Sequence, residues 1–151
     1  MVMRIIAFDP GMKNTGVALL IGDSIQTFTI NEKTYLGLWD EVGMTLQELI
    51  KSNLKPDHAI VEGIIHNSRN PESHLQAHAI ICTLLQGLKI PYTEYTPNVW
   101  KKLTVGKGNA TKQEVMAWVI KHHGKINQHE ADALCMALAY KGELENGTDK
   151  N

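Results

Sequence analysis

Residues 3–9, Met-Arg-Ile-Ile-Ala-Phe-Asp, run almost without a break through apolar side chains and stop at a carboxylate. A strand that shields one face of a sheet alternates polar and apolar residues. A continuous apolar run needs cover on both faces, which puts it at the centre of an α/β sheet. The stop is local chemistry: Pro10 biases Asp9 toward extended backbone, and Gly11 admits a tight turn. With 151 residues and 43% hydrophobic content the chain can bury one ordinary core. The expectation is a single domain over 1–141 and a polar, disordered tail over 142–151. No apolar run approaches the roughly 20 residues of a membrane span, so no membrane partner is expected. Asp9, Lys13 and Asp23 interrupt any signal-peptide pattern. Cys82 and Cys135 lie in apolar stretches without a C-x-x-C partner. They read as small buried hydrophobes of a reduced, cytoplasmic protein, which excludes a disulfide scaffold and a Cys-ligated zinc fold.

The rest of the chain punctuates itself. Residues 15–22 and about 24–30 read as strands joined at Gly22-Asp23. Thr34 can cap a helix to about Asn53, with Leu38, Val42, Leu46, Leu49 and Ile50 on one face. A short buried strand at 58–62 again ends in a carboxylate. Asn70-Pro71 gives a cap and a first-position proline for a helix to about Leu88. A strand at 90–95, a short helix from Thr96-Pro97 and a glycine-bearing loop from Val105 to Ala110 follow. Thr111 with Glu114, and Asn127 with Glu130, have capping-box spacing for two final helices. This order predicts an α/β fold with a mixed five-stranded sheet and helices on both faces.

Asp9 and Glu62 each close a buried strand; if those strands are neighbours, both carboxylates emerge at one sheet edge. Asp132 stands in the first turn of the last helix, three residues after His129. Clustered carboxylates repel unless a proton or a cation neutralises them. Hard oxygen donors favour Mg²⁺ or Mn²⁺, and two such ions suit phosphodiester hydrolysis. Singly, each residue has a plainer reading: Asp9 accepts turn amides, Glu62 is a strand-end charge, Asp132 and Glu130 favour a helix N-terminus, and His129 is an exposed helix-start residue. Charge adds a second signal. Residues 97–125 hold six lysines (Lys101, Lys102, Lys107, Lys112, Lys121 and Lys125) against Glu114 alone, between acidic flanks. That block suits a phosphate-tracking surface or a merely solvated helix face.

Taken together, Asp9-Pro10-Gly11 with Asn14-Thr15-Gly16, then Val61-Glu62, Thr96-Pro97, Val105-Gly106-Lys107-Gly108-Asn109-Ala110-Thr111-Lys112 and His129-Glu130-Ala131-Asp132-Ala133-Leu134 resemble the RuvC family of Holliday-junction resolvases over roughly residues 3–141. The resemblance implies an RNase H-like fold and a homodimeric, Mg²⁺- or Mn²⁺-dependent endonuclease that cuts four-way DNA junctions. It places the catalytic, metal-holding positions on Asp9, Glu62 and Asp132, and on His129 at the cluster's margin, a position that is Asp or His in different members. It puts DNA-contacting basic positions near Lys107 and Lys112, within a Lys101–Lys112 segment whose Gly106 and Gly108 let backbone amides approach phosphates.

One departure bears on substrate. Where some members of the family carry an aromatic residue three positions after the catalytic Glu, this chain has Ile65. An aliphatic wedge can unstack a base step but offers no stacking platform. Ile65 and Arg69 are expected near the branch point, with flaps and forks as further substrates. Two alternatives stand: an RNase H-like nuclease acting on RNA or RNA–DNA hybrids, and a junction-binding protein that does not cut. Trp100 is a candidate base-stacking residue or, on burial tendencies, a core one. Ala77, Ala79, Ile80, Ile81, Leu84, Leu85 and Leu88 spread apolar surface over more than one face of the 70–88 helix. That predicts a homodimer through this helix, unless neighbouring helices bury both faces.

Overall fold

The computed structural model describes residues 2–65 and 70–148. Strands β1 (Arg4–Asp9), β2 (Thr15–Ile21) and β3 (Ser24–Ile30) form an antiparallel meander. Helix α1 (Tyr35–Lys51), strand β4 (His58–Glu62), helix α2 (Glu72–Gly87) and strand β5 (Tyr92–Tyr95) follow, then helices α3 (Pro97–Thr104), α4 (Lys112–His123) and α5 (Gln128–Thr148). The sheet order is β3-β2-β1-β4-β5, with β4 parallel to β1 and β5 parallel to β4. The apolar run at the start of the chain is thus the central strand. Its side chains alternate between two cores: Ile5 and Ala7 meet Trp100, Val115, Val119 and Leu134, while Ile6 and Phe8 meet Leu38, Val42, Leu46, Ile81 and Leu85.

The helix starts show where local chemistry prevails and where tertiary contacts redirect it. Thr34 accepts from the Gly37 amide, and Thr111 with Glu114 forms a complete capping box. Asn70 does not cap α2 as expected. Its amide group bonds both the amide and the carbonyl of Ile65, closing a loop, and Pro71 takes the cap position without a side-chain bond. The Asn127–Glu130 box forms only in half. Asn127 Oδ1 accepts the Glu130 amide at 2.9 Å, but the Glu130 carboxylate reaches across to the hydroxyls of Thr27 and Thr29 on β3, at 2.7 and 2.9 Å. At the other end α5 continues past Gly142, where composition suggested a frayed tail. Tyr95 on β5 donates to Glu143, so the extra turns have a partner in the sheet.

The apolar spread of α2 has an internal explanation. Ala77, Ile81, Leu84 and Leu85 are buried within the chain, Ile80 and Leu88 pack against the same core, and α1 lies alongside. Covering a sheet and a neighbouring helix at once takes two faces of one helix. Leu75 and Ala79 remain exposed on it.

Candidate active site

Three elements bring the acids together. Phe8 pairs with Val61 in the parallel β1–β4 ladder, so Asp9 and Glu62 leave adjacent strands at the same edge. Asp132 arrives from the opposite side on α5, whose start is fixed by a contact only glycine permits. A Cβ on Gly16 would stand 2.0 Å from the His129 carbonyl oxygen, so β2 and the first turn of α5 touch backbone to backbone. The Glu130 clamp onto Thr27 and Thr29 holds the same turn from the sheet's outer strand. Glu130 therefore faces the sheet, and His129 faces the acids: its Nδ1 lies 3.5 Å from Asp9 Oδ2.

Asp9, Glu62, Asp132 and His129 line one cavity of about 370 Å³ together with Gly11, Asn14, Ile65, Asn70, His74 and Lys112. Burial pushes the Glu62 carboxyl up to about 8; the negative charge of Asp9 adds to the rise, and the Trp100 indole and Lys101 oppose it. Burial and Asp9 likewise push Asp132 up to about 7, against the pull of Lys101, His129 and Lys112. A hydrogen bond to Asp9 raises the pKa of His129 in spite of partial burial. The cluster thus holds more negative charge than its surroundings stabilise, which is the condition a divalent cation relieves. All three donors are hard carboxylate oxygens, which fits Mg²⁺ or Mn²⁺. They do not converge as tightly as a single-ion cage: the group of three ligand atoms within 4.8 Å of one another among the described residues lies elsewhere. Two ions about 3.5–4 Å apart suit such a spread.

The basic residues separate into two groups. Lys101 and Lys112 act electrostatically on the acids, and Lys112 lines the cavity itself. Lys101 Nζ also lies 5.7 Å from the centre of the Trp100 ring. Lys107 is engaged by Glu114 at 2.9 Å, and Lys102 is exposed on α3. Ile65 is exposed at the cavity rim, whereas Arg69 lies outside the described residues.

Trp100 takes the core place that burial tendencies favoured, while its bond to Glu62 and the part of His74 in the site were not signalled by the sequence. Trp100 is 1% exposed, so it does not stack on a base; its Nε1–H donates to Glu62 Oε2 at 3.1 Å and fixes that carboxylate. His74 lines the cavity from α2, with Nδ1 3.3 Å from the Pro10 carbonyl. The Trp100 contact spans a separation of 38 residues and His74 belongs to no motif, so neither carries a local signal.

The family model for crossover junction endodeoxyribonuclease RuvC matches residues 5–140. A crossover junction endodeoxyribonuclease RuvC from Wolbachia sp. subsp. Brugia malayi is 32% identical, over 91% of this chain and 93% of its own length. One from Burkholderia pseudomallei (strain 668) is 35% identical, over 91% of this chain and 83% of its own. Among solved structures, Thermus thermophilus RuvC in complex with Holliday junction substrate has the same fold, with a TM-score of 0.73, 18% identity and 97% of each chain covered.

Proposed function

The chain belongs to the RuvC family of crossover junction endodeoxyribonucleases, and on that premise we propose that it resolves four-way DNA junctions by hydrolysing phosphodiester bonds, with Asp9, Glu62 and Asp132 as the residues that hold Mg²⁺. Mn²⁺ can substitute, since both are hard cations suited to carboxylate oxygens. The observation that carries this reading is the meeting of three buried-edge carboxylates beside Lys101 and Lys112 in one open cavity. When bound there, the cations supply Lewis acidity and neutralise the charge that develops on phosphorus-bound oxygens.

The chain's own residues do the rest. Trp100 orients Glu62, and the Gly16 contact with the Glu130 clamp sets the position of Asp132. His129 is held in its charged form more readily than a free imidazole and offers a proton donor at the cavity mouth. Lys112 and Lys101 attract the scissile strand without reading bases, because phosphate contacts position but do not specify. Ile65 at the rim serves as an aliphatic wedge at the branch, with Arg69 in the same stretch of chain, and this favours flaps and forks as additional substrates. Lys102 and Lys107 extend the positive surface along the DNA arms. We take residues 1–141 as the nuclease domain and a homodimer, with two sites for two paired strands, as the acting unit. Among the described residues no helix is long and apolar enough to cross a membrane, and a cytoplasmic, nucleoid-associated location follows from the substrate.

The test is incubation with four-way, flap, duplex and RNA–DNA hybrid substrates plus Mg²⁺, with the cut positions mapped and the oligomeric state followed by sedimentation. Paired nicks near a four-way branch are expected. Asp9→Asn should abolish cleavage and retain junction binding. Cleavage of hybrids alone, or wild-type turnover by Asp9→Asn, would overturn the assignment.

A further inference from the structure

Between α2 and β5, at the margin of the core that buries Cys82, three side chains of metal-binding type meet. His78 and Cys82 are one turn apart on α2, and Glu94 reaches them from the edge strand β5; one ligand atom from each lies within 4.8 Å of the other two. His78 Nε2 is the hub, in contact with Glu94 Oε1 and 3.6 Å from Cys82 Sγ. None of the three lines the carboxylate cavity.

We propose that His78, Cys82 and Glu94 form a second metal site, selective for Zn²⁺, that ties α2 to β5. The donor set is one imidazole, one thiolate and one carboxylate, which suits a borderline-soft cation and not Mg²⁺. Zn²⁺ bonds nitrogen at about 2.0 Å and sulfur at about 2.3 Å, so a tetrahedral angle separates the two donors by about 3.5 Å. The observed 3.6 Å matches that edge, and the direct His78–Glu94 contact opens to admit the ion between them. His and Cys at i and i+4 share a helix face, so the helix supplies two ligands pre-aligned and β5 supplies the third. Water completes the fourth position on the exposed Glu94 side.

Burial pushes the Cys82 thiol up to about 11; the Tyr92 hydroxyl opposes this, and the Glu94 carboxylate adds to it. A dication between sulfur and carboxylate reverses the contribution of Glu94 and displaces the thiol proton. His74, one turn before His78, lines the catalytic cavity, so the clip would steady a wall of the active site through one helix turn.

Cobalt substitution reads the thiolate directly. The full-length protein, freed of metal and titrated with Co²⁺ under reducing conditions, should bind one equivalent with a sulfur-to-cobalt charge-transfer band, and Zn²⁺ should displace it. Cys82→Ser and His78→Gln should abolish the band. Glu94→Gln should keep it but weaken Co²⁺ binding by on the order of tenfold or more, at least the loss seen for outer-sphere partners of metal ligands. Asp9→Asn should leave the band and its affinity unchanged, which separates this site from the catalytic one. Glu94 is exposed, so its variant remains informative if Cys82→Ser does not fold. No thiolate band at saturating Co²⁺, a band that His78→Gln leaves intact, or an unchanged Co²⁺ affinity in Glu94→Gln overturns the proposal.

Discussion

Replacing Glu62 with Gln should make the metal-free protein more stable while destroying its activity. The amide keeps an oxygen for the Trp100 N–H, 3.1 Å from Glu62 Oε2 in the native protein, and removes only the charge. Below about pH 4.5 the carboxyl is protonated in both folded and unfolded chains, so it makes no contribution. As pH rises, the unfolded chain ionises first while burial and Asp9 keep the folded carboxyl protonated up to about 8. The folded state then binds more protons than the unfolded one, and stability falls with pH across that window. A carboxyl moved from 4.5 to about 8 carries at most about 5 kcal/mol, at about 1.4 kcal/mol per pH unit. Urea unfolding in a chelator at pH 4.5, 6, 7 and 8.5 is the assay. The variant and the wild type should match at the lowest pH and diverge by a few kcal/mol at the highest. The variant still loses some stability as pH rises, because Asp132 titrates in the same direction up to about 7. Adding Mg²⁺ should close the gap from the other side: at 100 times its dissociation constant a ligand stabilises by about 2.7 kcal/mol, and the variant lacks a ligand for it. A wild-type stability that is flat from pH 4.5 to 8.5, or equal stabilisation of both proteins by Mg²⁺, would refute the reasoning that these acids are crowded together for a cation.

Three further outcomes follow from particular contacts. Lys112→Ala should lower the slope of log affinity against log salt by about 0.9 for a duplex arm, measured by fluorescence anisotropy, and Lys107→Ala should lower it less, because Glu114 already engages that ammonium. Gly16→Ala drives a methyl to 2.0 Å from the His129 carbonyl, so it should cost more than about 3 kcal/mol in urea unfolding, and reduce cleavage more than DNA binding. Trp100→Phe keeps the ring in the core but removes the donor to Glu62, so it should cost about 1.5–3 kcal/mol at alkaline pH, where Glu62 is ionised, and the loss should fade at pH 5.

The sequence carried most of the frame because its signals were local. A two-faced apolar run, turn residues and capping boxes belong to neighbouring positions, and the expected strands and helices match those observed to within a few residues, except that α5 runs on to Thr148. The pairing of Asp9 with Glu62 needed only the condition that β1 and β4 be neighbours, which the parallel ladder meets. What failed to show were choices between equal local partners. Asn70 could cap a helix or close a loop, and the geometry of Ile65 decided for the loop. Glu130 accepts from the Asn127 side-chain amide at its own helix start and also from two threonines about a hundred residues earlier, and only the first of these partners is local. The role of Trp100 depended on where Glu62 would stand after folding, and the apolar surplus on α2 on whether α1 would lie beside it.

Which of the adjacent residues His129 and Glu130 faces Asp9, and which faces the outer strand, is set by the backbone contact at Gly16. Gly16 lets the His129 carbonyl approach β2 more closely than any other residue would. With the peptide fixed there, successive side chains of α5 diverge by about 100°. One must point to the outer sheet and the next toward the strand ends. Thr27 and Thr29 present two hydroxyls to the first direction, and Asp9 presents a carboxylate to the second. Exchanging the two residues would put an imidazole against the hydroxyl pair and a fourth carboxylate against Asp9, where burial, and then the charge of Asp9, already push Glu62 and Asp132 up. The position facing Asp9 therefore gains from a residue that can be cationic, and the position facing the threonines from one that accepts two hydrogen bonds. The order His129-Glu130 meets both requirements, and only with glycine at position 16.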